Sequence, residues 1–104
     1  MYDIKFLESA QFDILEIANH ITNELLNPIA ADNLAKEIIE FANRLIDFPY
    51  IFSIYHPIDK LEKEYRKFSV KNYFVFYYVE EETKKVFISR VIYSGRDIEH
   101  IIIQ

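Results

Sequence analysis

The stretch YFVFYYVEEETKKVFISRVIY, residues 73–93, decides the fold. Tyr73 to Glu80 and Val86 to Tyr93 are rich in aromatic and β-branched residues, which suit a pleated, half-buried surface. The polar run Glu81 to Lys85 between them is short enough for a tight connection, so the two segments read as a β-hairpin. In the second segment Val86, Ile88 and Ile92 fall on one side of a two-residue repeat, and Arg90 falls among them on that same side. A buried arginine without a partner is costly, so a carboxylate or a partner chain is expected to satisfy it. The strand runs on into Gly95, the only glycine in the chain, followed at once by Arg96 and Asp97. Gly95 is expected to allow the turn that presents Arg96.

Upstream of the hairpin, Tyr65 to Val70 is a third strand candidate, and Pro49 to Glu64 reads as a loop with one helical turn. Two amphipathic helices precede it. The first carries Ile14, Ile17, Ile21 and Leu25 at helical spacing, with Asp13, Glu16 and Glu24 assigned to other faces and Ser9 expected as N-cap. The second opens on Asn27-Pro28, a cap followed by a proline suited to the first helical position. Its stripe is Ala31, Leu34, Ala35, Ile38, Phe41, Ala42 and Leu45. So short a connection predicts an antiparallel helical hairpin. With a short strand over Tyr2 to Leu7, the order is β-α-α-β-β-β: an α+β fold in which the helical hairpin packs on a small antiparallel sheet, one domain over residues 1–104.

The composition bounds the function. At 51% hydrophobic and 16% aromatic the chain can build a core, and without cysteine it has neither disulfides nor thiolate chemistry. MYDIKFLES has no signal-like pattern and the longest apolar run is too short for a membrane helix, so a cytoplasmic protein is the expectation. The net charge is −5, with nine acids against three bases in residues 1–50 and eight against nine in residues 51–104. General polyanion binding needs a strongly basic domain, which leaves a local basic face as the only nucleic-acid option.

Arg66, Arg90 and Arg96 are the first chemical constellation, because guanidinium forks on neighbouring strands can converge on phosphate or carboxylate. The plainer reading is surface ion pairing with Glu62, Glu64 or Asp97. His20, His56 and His100 have no ligand spacing, so no metal is expected, and one glycine cannot form a phosphate loop, so no cofactor is expected either. The aromatic run Tyr73, Phe74, Phe76, Tyr77 and Tyr78 reads as core rather than a base-stacking platform. Glu80, Glu81 and Glu82 read as a solvated turn. Ile101, Ile102 and Ile103 either pair within the sheet or await another chain.

YDIKFLESAQFDILEIANHI, NPIAADNLAKEI, RLIDFPYIF, EYRKFSVKNYFVFYYV and VFISRVIYSGRD, in this order, resemble the RelE/ParE superfamily of toxins from bacterial type II toxin–antitoxin modules, the class of plasmid-stabilisation systems. The resemblance implies a toxin whose sheet and helical hairpin are wrapped by a cognate antitoxin, the assembly being a homodimer or a toxin–antitoxin hetero-oligomer. In its ribosome-dependent branch, arginines hold mRNA phosphates while a C-terminal tyrosine or histidine cuts; here that set would be Arg66, Arg90, Tyr93 and His100. The gyrase-directed branch lacks it. Tyr93-Ser94-Gly95-Arg96-Asp97 resembles the ParE-like ending, and the acidic total leans the same way, so the resemblance implies DNA gyrase as target. The implied binding residues are Arg66, Arg90, Tyr93, Arg96 and Asp97.

Overall fold

The architecture comes from a computed structural model that describes residues 1–57 and 61–98. The elements in chain order are β1 (Asp3–Phe6), α1 (Glu8–Asn23), α2 (Pro28–Asn43), a 3-10 turn (Arg44–Ile46), β2 (Arg66–Val70), β3 (Tyr73–Glu80) and β4 (Lys85–Tyr93). The four strands form one sheet in the order β1-β4-β3-β2. β2, β3 and β4 pair antiparallel as their short turns demand, and β1 joins β4 in parallel. The sheet is therefore mixed, a refinement on the expected antiparallel one. No tight turn links β1 to β4, so nothing local dictates an antiparallel pairing there.

The helical hairpin forms as its sequence dictates. The Asn27 side chain accepts from the Ala30 backbone N–H at 3.1 Å, and Pro28 supplies the preset backbone of the first turn. α2 buries Ala31, Leu34, Ile38 and Ala42, which with Leu45 meet Phe68, Val75 and Tyr77 of the sheet. That apolar layer is the core, and burial of side chains of this size supplies the largest favourable contribution to folding. α1 ends at Asn23, so Leu25 lies beyond the helix and is exposed instead of completing its stripe. Leu26 makes the connection in the left-handed region, at φ 53°.

Two local assignments change. Ser9 is not the N-cap: Leu7 holds that position without a side-chain cap, and Ser9 Oγ instead donates to the Ser89 carbonyl at 2.6 Å. The helical turn expected after Pro49 falls before it, at Arg44–Ile46, while the described part of 49–64 is irregular and carries an isolated β-bridge to the sheet, Ile54 to Arg66.

The aromatic run is core, as read. Phe76 and Tyr77 are fully buried on opposite faces of β3, Tyr77 beneath the helices and Phe76 in a second cluster with Tyr55, Tyr65 and Ile92. β4 does not keep one face throughout. The ladder pairs Phe76 with Arg90 but Tyr77 with Ile88, so Ser89 is an extra residue, a β-bulge. Before it Val86 and Ile88 face the helices; after it Val91 does, and Ile92 turns to the other cluster. A strict two-residue repeat thus put Arg90 in the wrong company, because the bulge resets the phase within the strand.

Candidate partner-binding surface

Arg90 lies at the outer edge of β4 just past the end of β1, whose last pairing is Phe6 with Ile88. Here α1 closes the edge. Asp13, 7% exposed, accepts from Arg90 Nε at 2.6 Å and Nη2 at 3.0 Å, and from the Val91 backbone N–H at 2.9 Å. The hydrogen bond to Asp13 holds the Arg90 guanidinium above even its usual high pKa, against the opposing effect of desolvation. The carboxylate expected for Arg90 is therefore Asp13, a residue the helical repeat had assigned to another face. Its actual company is Ala10 and Ile21 on the buried side of α1.

Arg66 is held on the far side of β3. Its Nη1 donates to the Phe52 carbonyl at 2.8 Å and the Tyr50 carbonyl at 3.4 Å, its Nη2 meets Glu64 at 3.2 Å, and its guanidinium lies 5.1 Å from the Tyr50 ring centre. A shallow hollow of about 350 Å³ opens beside it, lined by Tyr50, Lys63, Glu64, Tyr78 and Glu80. Arg66 and Arg90 thus face opposite edges of the sheet, one toward the loop and the other toward α1, and the structure does not bring them into one patch.

Arg96 stands apart from both, in an exposed turn closed by its backbone N–H on the Tyr93 carbonyl at 3.1 Å. Gly95 serves this turn by its lack of a side chain rather than by a left-handed backbone. A Cβ there would come within 2.3 Å of the Tyr93 ring, which lies over the glycine and meets Tyr73 edge-on at 5.9 Å between centroids. Tyr93, Arg96 and Asp97 share this exposed end of β4. His100 and Ile101 to Ile103 lie outside the described residues.

A fourth cluster had no sequence signal beyond the acidic turn. Glu81 accepts from Tyr2 Oη at 2.8 Å, from Tyr50 Oη at 2.5 Å and from Lys84 Nζ, joining the N-terminus, the loop after α2 and the β3–β4 turn. The Lys84, Tyr50 and Tyr2 hydrogen bonds, in that order, pull the Glu81 carboxyl down to about 2. The same contact to Glu81 raises the Tyr50 phenol to about 12. The exposed face of α1 is acidic: it holds Glu8 and Glu16, and the helix has neither lysine nor arginine.

Among known families, the model described as the ParE toxin of the type II toxin-antitoxin system, parDE, matches residues 4–98. The chain belongs to the ParE toxin family. No curated protein matches it. Of solved structures, a chain of the chromosomal ParDE toxin-antitoxin system from P. aeruginosa is similar at TM-score 0.69 and 18% identity, over 89% of this chain and 96% of that one. The isolated E. coli RelE toxin is similar at TM-score 0.52 and 19% identity, over 93% of this chain and 88% of that one. At these identities the likeness is one of fold, and it agrees with the strand, helical hairpin and mixed four-stranded sheet described above. No helix among the described residues of this ParE-family chain is long and apolar enough to cross a membrane.

Proposed function

We propose that this ParE-family chain is a toxin that acts by binding DNA gyrase, performs no chemistry of its own, and is neutralised by a cognate antitoxin in a toxin–antitoxin complex. The observation that carries the reading is the commitment of its two strand arginines. Arg90 is engaged by Asp13, and Arg66 by two backbone carbonyls and Glu64, so neither guanidinium is posed as an open phosphate clamp. The acidic α1 supports the same reading, since a protein that works on ribosome-bound RNA gains from a basic surface. Tyr93, Arg96 and Asp97, at the exposed end of β4, are the residues proposed to meet the target.

The second reading is a RelE-like, ribosome-dependent mRNA endoribonuclease using Arg66, Arg90, Tyr93 and His100. The fold likeness to the RelE toxin favours it, as does the hollow beside Arg66 that also holds Lys63. Expression of the chain in cells, with and without the protein encoded beside it, tests the two. Growth arrest with DNA-damage signalling and intact translating mRNA, relieved by the neighbour, is the expected result. Arrest with cleaved mRNA and no DNA damage would establish the second reading, and no arrest at all would leave a toxin decayed to a binding module.

A further inference from the structure

We infer that the loop Phe48–Ile51 is a preorganised apolar prong that inserts into a hydrophobic cleft on the toxin's protein target, and that Arg66 is the residue positioning it. The inference rests on the protein-binding reading above. Phe48 is 64% exposed and Ile51 57%, two large apolar side chains offered to solvent within four residues. Apolar side chains exposed side by side, unlike ones scattered singly, mark an interaction site.

The loop is bolted down from the core side. Its turn closes through the Ile51 N–H on the Phe48 carbonyl at 3.2 Å. Fully buried Tyr77 donates its hydroxyl to the Pro49 carbonyl at 2.9 Å, Arg66 donates to the carbonyls of Tyr50 and Phe52, and the Tyr50 hydroxyl is held by Glu81. These ties run to the sheet and to the β3–β4 turn, while the side chains of Phe48 and Ile51 stay exposed. A group fixed in this way loses little conformational freedom on binding, and buried aromatic anchors of such a kind carry most of the energy of protein interfaces.

The charge beside the prong specifies the cleft further. Arg44, one turn before Phe48, lies 4.4 Å over the Phe41 ring and has no carboxylate partner among the described residues. The fitting partner is a protein surface with an apolar pocket and a carboxylate on its rim. Arg66, read from sequence as a ligand-binding group, acts through the loop instead: Nη1 reaches the carbonyls of Tyr50 and Phe52 while Nη2 meets Glu64, a planar fork that the single ammonium of lysine does not reproduce.

The test uses the full chain in a gyrase supercoiling assay, with hydrogen exchange of the Ile51 amide as a second readout. Phe48→Ser with Ile51→Ser is expected to leave the melting curve in place, because both side chains are exposed, and to weaken inhibition by about tenfold or more. Arg66→Lys is expected to speed exchange at Ile51 and weaken inhibition, yet to add nothing when combined with the loop pair, since both act on one element. Arg44→Glu is expected to weaken inhibition several-fold. Full inhibition by the loop pair, or a further loss on adding Arg66→Lys to it, would overturn the inference. So would a dimer of the wild type that the loop pair abolishes, because the occupant would then be a second copy. If the wild type leaves gyrase untouched, the gyrase reading itself has failed; growth arrest on expression then replaces supercoiling as the readout, and arrest unrelieved by the loop pair contradicts the prong.

Discussion

The carboxylate of Asp13 on α1 grips the Arg90 guanidinium of β4 through two hydrogen bonds, at 2.6 and 3.0 Å. A third bond, from the Val91 N–H, makes the same carboxylate the closure of a strand edge that β1 is too short to cover. Helix and sheet are joined here by a polar bolt beside the apolar layer.

Asp13→Ala should therefore destabilise by about 2–4 kcal/mol, since it strands a partly buried cation and an edge N–H together. Pairing Asp13→Leu with Arg90→Met should cost less than the sum of the single changes, because no charge is left behind. Denaturant titration of the four proteins measures the coupling, expected at about 1–3 kcal/mol. Additive losses would mean the pair is incidental.

Leu26 sits at φ 53° and is 80% exposed, so its side chain brings strain and little burial. Leu26→Gly should raise stability by about 0.5–1 kcal/mol, the relief of the left-handed backbone less the added freedom of the unfolded chain. Thermal melting reads the change directly.

Gly95→Ala should displace the Tyr93 ring, the flexible neighbour that a new Cβ would meet. The cost in stability should stay below about 1 kcal/mol, because the ring can swing into solvent. Proton shifts of Tyr73 and Tyr93, which now meet edge-on, should move together. An unmoved ring pair would mean that the turn itself had yielded.

Glu81 gives a pH signature whose sign follows from its depressed pKa. Its contribution is present above the ordinary value of 4.5 and is lost as pH falls from there toward about 2. Melting temperature should fall across that window, and Glu81→Gln should flatten this component. Tyr50 shows the converse at high pH: raised to about 12, its contribution persists below 10 and is lost as pH climbs through 12. Its phenolate absorbance should appear nearer 10 in Glu81→Gln.

The elements of this fold were legible because their signals are local. Asn27-Pro28 starts a helix by its own chemistry, and the hairpin over 73–93 is written in β-branched and aromatic residues with a polar break. Pairing across the chain was not legible. Asp13 and Arg90 are 77 positions apart; Arg90 looked out of place on its strand face, while Asp13 was assigned to a polar face of its helix. Asp13 stands three residues after Ala10 and four before Ile17, on the apolar stripe itself, and a carboxylate there opposite an arginine among the apolar residues of a strand is the signal that could have joined them. The bulge at Ser89 hid the rest, since nothing in VFISRVIY marks where the alternation slips. Arg66 misled for a different reason: backbone carbonyls are its principal partners, and carbonyls have no sequence signature.

The central proposal is that this ParE-family chain acts on a protein, with its two strand arginines, Arg66 and Arg90, committed within the fold. Supercoiling of relaxed plasmid by purified gyrase, titrated with the purified chain, tests it most directly. Dose-dependent loss of supercoiling, with mRNA on translating ribosomes left whole at the same doses, is the predicted result. Unaffected supercoiling beside mRNA cleavage that disappears in Arg66→Ala or Arg90→Ala would contradict it.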